Sequence, residues 1–98
     1  MLKSLDDITI EVLNGIEQMA KCFFVPEEIA LALEMDINFM KEQMEDYSST
    51  VYRAYHKGWI QSEFEQRQCI FSLALSGSSP AQTMVNGIRD RAKLKLMN

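Results

Sequence analysis

The sequence predicts an all-α protein of about five helices in a single domain, residues 1–98. Apolar residues recur at three- and four-residue steps along most of the chain, which is the spacing of one helix face. Residues typical of helix starts and stops, Pro26, Gly77 and Pro80 among them, divide this pattern into helix-sized segments. With 47% hydrophobic and 24% charged side chains, 98 residues suffice for one modest core, and the composition excludes a disordered chain.

The first half of the chain predicts three helices. Ser4 followed by Asp7 resembles a capping box, and the apolar repeat behind it places a first helix over about 4–22. Pro26 fits the first position of a second, short helix over about 26–33. Asp36 can cap a third helix, on which four apolar residues share one face: Ile37, Met40, Met44 and Tyr47.

The second half predicts one or two long helices and a final one. From 51 to 76 the pattern stays helical and only Gly58 interrupts it, so one long helix and two collinear helices both fit. Segment 69–75 is apolar nearly all round, which predicts burial on more than one side. The last helix reaches about residue 96, and the boundary signals are Gly77 as a stop and Ser79–Pro80 as a start.

The sequence lacks the patterns of a catalytic or metal site. His56 is the only histidine, and with the isolated Cys22 and Cys69 it cannot supply a zinc site of the usual kind. The four glycines never cluster, which excludes a phosphate-binding loop. Because no nucleophile is paired with a base, we expect no enzyme, no cofactor and no metal, and predict a role in binding or assembly.

Residues 28–44 carry the one pattern with functional content, a helix-turn-helix. Two short helices that cross over a tight turn need a small residue where they touch, and Ala30 supplies it. Glu34 occupies the turn position that glycine usually holds. The third helix would then enter the major groove of DNA, with its outward side chains reaching base edges. Those side chains would be Asn38, Phe39, Lys41, Glu42 and Gln43.

An outward Phe39 has a testable consequence. Its ring would contact a thymine methyl or a partner protein, so we expect Phe39→Ala to leave stability nearly unchanged. The alternative for the whole set is a solvated polar face with one exposed aromatic residue, because short helix pairs of this kind are common in ordinary bundles.

Charge is divided unevenly along the chain. Residues 1–50 hold three basic and eleven acidic side chains, a net charge of −8, whereas residues 51–98 carry +4. The helix-turn-helix, 26–47, has one lysine against seven carboxylates and should repel phosphates unless a multimer or a basic partner compensates. The last helix is basic, which is typical of a solvated helix end that suits the helix dipole and equally of a phosphate contact. The second interpretation adds three residues to the candidate DNA contacts: Arg89, Arg91 and Lys93.

The same division of charge suggests self-association. Identical subunits with an acidic front and a basic back attract each other head-to-tail, and such heterologous contacts close into rings when the rotation allows. A homo-oligomer is therefore expected.

Four short segments together resemble the small subunit of tailed-phage terminases. The resemblance spans roughly residues 20 to 95. The first segment is Pro-Glu-Glu-Ile-Ala at 26–30, where the helix-turn-helix starts, and the second is Ala-Tyr-His-Lys-Gly at 54–58, where the long helix opens. The third is Leu-Ala-Leu-Ser-Gly at 73–77, where the long helix ends, and the fourth is Ser-Pro-Ala-Gln at 79–82, where the last helix starts.

This resemblance implies a fold and a function. In that family a helix-turn-helix precedes a helical oligomerisation hairpin, and the proteins assemble as rings, recognise viral DNA for packaging and regulate a separate motor subunit. Applied to this chain, 1–47 would be the helix-turn-helix part and 48–98 the assembly part. Asn38, Phe39, Lys41 and Gln43 would face double-stranded DNA, and the segment from about 51 to 92 would form the assembly surface.

Two alternatives use the same helices. One is a protein-interaction module with a degenerate helix-turn-helix, which would show no salt-dependent DNA binding. The other is a small transcription regulator, a dimer that reads paired half-sites. The opening residues lack the basic-then-apolar order of a signal peptide and no run of 18 apolar residues occurs, so we expect a cytoplasmic protein of a bacterial host or prophage, without membrane association.

Overall fold

The computed structural model describes residues 1–97, of which helices form the great majority, and the all-α prediction of about five helices is confirmed. The chain divides into two compact units, Met1–Ser62 and the remainder from Glu63 onward. A short 3-10 helix, Leu5–Asp7, precedes the five α-helices. These are α1 (Ile10–Lys21), α2 (Pro26–Ala32), α3 (Ile37–Glu45), α4 (Thr50–Leu75) and α5 (Ser79–Met97).

The beginning of the chain differs from the predicted single helix over 4–22. The capping box is present, since the Ser4 N–H donates to Asp7 Oδ2 at 3.2 Å, but it caps only the 3-10 helix. Ile8 and Thr9 are extended, and the Thr9 hydroxyl accepts a hydrogen bond from the Val12 N–H at 3.2 Å. Thr9 is thus a second N-cap, and α1 begins directly after it. The apolar periodicity alone did not reveal this boundary.

The first residues pair with the turn between α2 and α3. The Leu2 N–H donates to the Glu34 carbonyl at 2.9 Å, and the Asp36 N–H donates to the Leu2 carbonyl at 2.8 Å. This single parallel bridge, Leu2 with Met35, holds the N-terminal segment against the helix-turn-helix.

The pKa of Asp7 gives this segment a pH dependence. Hydrogen bonds from the Lys3 and Ser4 backbone N–H groups lower it from the ordinary value of 3.8. The carboxylate therefore contributes stability above the unfolded pKa, and that contribution is lost as pH falls through the lowered folded value. We expect acidification through that lowered pKa to detach the segment, and Asp7→Asn to do so at neutral pH.

Hydrogen exchange measures this detachment. The protection factor of the Asp36 amide, which donates to Leu2, should fall in the Asp7→Asn variant. Asp6→Asn, which removes a neighbouring exposed carboxylate, should leave that protection factor unchanged. Equal protection in both variants would show that Asp7 does not hold the segment.

The unit Met1–Ser62 has a continuous apolar core. Helices α1, α2 and α3, the turn before α3 and the first turns of α4 all contribute to it. Its buried members are Ile16, Ala20, Ile29, Ala30, Met35, Phe39, Met40, Val51 and Tyr55.

Helix α4 is a single helix, which settles the choice that the sequence left open at Gly58. Gly58 is buried and faces α1. A Cβ placed on it would lie 2.8 Å from the Ala20 Cβ and closer still to the Glu17 carbonyl oxygen. The glycine is therefore a point of close helix approach and not a break in the helix.

The turn between α2 and α3 uses a left-handed residue at the predicted position. Glu34 has φ +56, and the following Met35 N–H donates to the Ala30 carbonyl at 2.8 Å. A non-glycine residue in this conformation costs about 1–2 kcal/mol, part of which glycine would recover. Glycine at position 34 also raises the entropy of the unfolded chain, which offsets some of the gain.

We expect Glu34→Gly to raise the free energy of unfolding by about 0.5–1 kcal/mol. Chemical denaturation followed by circular dichroism measures the change. Glu42→Gly is the matched control, because the same substitution inside α3 at an exposed site should instead destabilise by about 1 kcal/mol. A loss of stability in both variants would contradict the role assigned to Glu34.

The unit from Glu63 onward is a helical hairpin with little core of its own. It consists of the second half of α4, a turn at Gly77 with φ +102, and α5. Gly77 and the Ser79–Pro80 helix start lie where the sequence predicted them. Among the described residues of this unit, Ala81 alone is buried.

Candidate nucleic-acid interface

Local hydrogen bonds fix the helix-turn-helix. The Val25 N–H donates to the Glu28 side chain at 3.0 Å and Pro26 opens α2. The Asp36 side chain caps α3 by accepting from the Phe39 N–H at 3.0 Å. Ala30 is fully buried between the two helices, as the sequence predicted for the crossing point.

Phe39 is buried, and its assignment as an outward, DNA-facing residue is wrong. Its side chain is 7% exposed and packs in the core beside Met35 and Met40. The predicted inner face included Ile37 and Tyr47, but Ile37 is 44% exposed, and Tyr47 is 75% exposed because α3 ends at Glu45. The buried face of α3 is therefore rotated toward Phe39.

Three more of the predicted residues of α3 differ in their surroundings. Asn38 and Lys41 are exposed, and the Lys41 ammonium lies 3.7 Å from the Glu27 carboxylate. Gln43 is half-buried, and its side-chain oxygen accepts a hydrogen bond from the Ser49 hydroxyl. Asn38 and Lys41 are accordingly available to a ligand, whereas the Gln43 oxygen already joins α3 to the start of α4.

The exposed face of α3 is acidic. Glu42 and Glu45 lie beside Asn38 and Lys41 on the solvent side. Hydrogen bonds from the Ser48 hydroxyl and N–H lower the pKa of Asp46, just beyond the helix, and so favour its charged form. With eleven acidic and five basic side chains, Met1–Ser62 carries a net charge of −6. Phosphates would be repelled from this face.

The basic residues of α5 are all exposed. Arg89, Arg91, Lys93 and Lys95 lie in the last turns of the helix, and only Asp90 opposes them there. The part of the sequence from Glu63 onward, with five basic and three acidic side chains, carries a net charge of +2. Positive charge available to phosphates is thus concentrated on α5.

Large apolar side chains are exposed on both helices of the hairpin. The prediction that 69–75 would be buried on more than one side is wrong within one chain, because Leu75 is 91% exposed and its neighbours are open as well. A hairpin of this size cannot bury enough surface by itself. The exposed apolar residues of this unit are Phe64, Phe71, Leu73, Leu75, Met84, Leu94, Leu96 and Met97.

An aromatic network that the sequence did not predict holds the α1–α2 connection. The Tyr55 hydroxyl donates to the Phe24 carbonyl at 3.0 Å, and Trp59 Nε1 donates to the Tyr55 oxygen at 2.8 Å. The Phe23 ring, at a residue with φ +64, meets the Trp59 ring edge-on with centroids 4.4 Å apart. The four-residue spacing of Tyr55 and Trp59 was the available signal.

Within residues 1–97 no cluster of three or more His, Cys, Asp or Glu side chains could hold a metal ion, and Cys22 and Cys69 are exposed free thiols. Every helix in that range is too short or too polar to cross a lipid bilayer. Comparison of the chain with protein-family models, with curated proteins and with solved structures finds no match.

Proposed function

We propose that this protein is a non-enzymatic, self-assembling DNA-binding protein of the terminase small-subunit kind. Its task would be to recognise phage or prophage DNA for packaging and to regulate a separate motor subunit, in the cytoplasm of a bacterial host. The observation that carries the proposal is the combination of a well-packed helix-turn-helix with a hairpin whose apolar side chains are left open.

The open hairpin supports assembly. A unit with a single buried residue among those described gains too little from burial to offset the entropy of ordering its backbone. Exposed apolar surface of this kind marks an interaction site. Copies of the chain that cover Phe71, Leu73 and Leu75 would supply the missing core.

The charge distribution supports DNA contact through α5 more than through α3. Arg89, Arg91 and Lys93 would neutralise phosphates, and Asn38 and Lys41 would reach bases only once a multimer brings enough positive charge together. Gln43 would contribute only its amide nitrogen, since its oxygen is engaged by Ser49.

The mass in solution, measured by light scattering over a salt series with and without duplex DNA, tests the proposal. We expect a multimer of defined size, and DNA affinity that falls steeply between about 50 and 200 mM salt. A monomer at high protein concentration, or a dimer that reads two half-sites one helical turn apart, would contradict it.

One substitution tests the assigned phosphate contacts. We expect Arg91→Gln to reduce the slope of log affinity against log salt by about 1 per binding chain, with a similar loss on every DNA sequence. Arg67→Gln is the matched control, because Arg67 lies in the same unit but pairs with Glu63 at 3.3 Å. Equal slopes in the two variants would remove Arg91 from the DNA interface.

A protein-interaction module is the second candidate, favoured by the acidic solvent face of α3. Glu42 and Glu45 suit a basic partner better than DNA. Because Phe39 is buried, it cannot make the aromatic contact that the sequence predicted with such a partner. Absence of salt-dependent DNA binding, together with an intact fold, would select this candidate.

A further inference from the structure

We propose that a groove at the start of α2 and the end of α3 is a docking site for the basic end of α5 from a second copy of this chain. The groove belongs entirely to the unit Met1–Ser62. Its lining residues are Val25, Pro26, Glu27, Lys41, Met44 and Glu45.

The floor of the groove is apolar and its border is anionic. Val25 is 49% exposed, and Pro26 and Met44 are half-buried beside it. The carboxylates of Glu27 and Glu45 are exposed to solvent. Lys41 is the one cation lining the groove, and its pair with Glu27 at 3.7 Å is a surface pair that an incoming cation can replace at little cost.

The end of α5 has the complementary pattern. Leu94 and Met97, three residues apart, share one helix face, and both are largely exposed. Arg91 and Lys93 lie to either side of that face, and Lys95 follows. An apolar ridge with cations on both flanks therefore meets an apolar floor with carboxylates at its border.

Charge identifies the occupant as a second copy. The groove lies in a unit of net charge −6, and the α5 end lies in a unit of net charge +2. Like-charge repulsion disfavours duplex DNA in the groove of a single chain. A contact of this kind joins two different surfaces of identical chains, so it is heterologous and adds to any contact made through the open hairpin. It does not rest on DNA recognition, and the α5 cations of a docked copy are not available to phosphates.

Zero-length carbodiimide cross-linking of an equal mixture of unlabelled and 15N-labelled full-length chains tests the contact. At low salt, in the absence of DNA, we expect peptides of mixed isotope composition that join Glu45 or Glu27 to Lys93 or Lys95. High salt should abolish them, because the attraction is between solvent-accessible charges. Links of these residues that are only of single-isotope composition, or that persist unchanged in high salt, would overturn the proposal.

Charge reversal makes the test specific. Glu45→Lys and Lys93→Glu should each lower the yield of mixed-isotope links about tenfold, since like charges then face each other. Mixing the two variants should restore the yield, because an intact groove on one chain meets an intact α5 on the other. Failure of the mixture to restore the links would overturn the proposal even if both single variants lose them.

A matched control and a second measurement separate this inference from the proposed function. Glu11→Lys makes the same charge change at an exposed site on α1, outside the groove, and should keep the links. Circular dichroism should show unchanged helicity in all variants. A chain that assembles and binds DNA but gives no such links refutes the docking contact alone, whereas links without DNA binding retain the contact and refute the proposed function.

Discussion

Phe39→Ala is expected to lower the free energy of unfolding by about 3–4 kcal/mol, which lies within the range of about 3–5 kcal/mol for removing a buried phenylalanine side chain. The ring is 7% exposed and lies among Met35, Met40 and other core residues. Removing it leaves a cavity in a core of few side chains, and the surrounding helices can collapse only in part. The midpoint of thermal unfolding should fall by roughly 15–25 °C.

Asn38→Ala is the control for this prediction. It changes the adjacent residue of the same helix, which is exposed, and should shift stability by no more than about 0.5 kcal/mol. Urea denaturation of both variants, at one protein concentration and with the fluorescence of Trp59 as the probe, compares them directly. If Phe39→Ala proves as mild as Asn38→Ala, the original outward assignment of Phe39 is right and the buried face of α3 is wrong.

The helix boundaries could be predicted because local side chains set them. Pro26, Asp36, Gly77 and Pro80 act on backbone groups within a few residues, and the structure places a helix start or stop at each. The boundary that was missed, at Thr9, is of the same local kind. Its signal was hidden because apolar residues continue across it at helical spacing.

The buried face of α3 could not be predicted as the helix boundaries could. Ile37, Met40 and Met44 define one apolar face, whereas Phe39, Met40 and Met44 define a second that overlaps it. The choice between them depends on how the turn enters the helix. That turn is set by Glu34 in the left-handed region and by pairing with Leu2, a contact between residues more than thirty positions apart.

The candidate interface was predictable in its charge and only partly in its contacts. Exposure of Lys41, Arg89 and Arg91 follows from the cost of burying a charge, so sequence alone is enough. Engagement of Gln43 by Ser49 depends on the chain turning back between α3 and α4. The exposure of 69–75 could not be predicted either. An apolar segment indicates burial, but it does not indicate whether the same chain or another one covers it.

Gly58→Ala is expected to destabilise the protein by about 2–3 kcal/mol, although alanine is the better helix former. The gain in helix propensity is at most about 1 kcal/mol. Against it, the new methyl group would overlap the Glu17 carbonyl oxygen and lie 2.8 Å from the Ala20 Cβ. Backbone atoms of α1 cannot yield as a flexible side chain can, so α1 and α4 must separate and loosen the core around Ile16 and Tyr55.

Gly15→Ala isolates the steric part of that effect. It makes the same substitution inside α1, where a Cβ would meet only the Leu33 side chain at an ordinary distance of 3.5 Å. Stability should therefore rise by about 0.5–1 kcal/mol, opposite in sign to Gly58→Ala. Since both variants gain helix propensity, the difference between their unfolding free energies in urea measures the contact between α1 and α4. A stabilising Gly58→Ala would mean that these two helices do not approach each other at this point, and the core that orients the helix-turn-helix would have to be assembled differently.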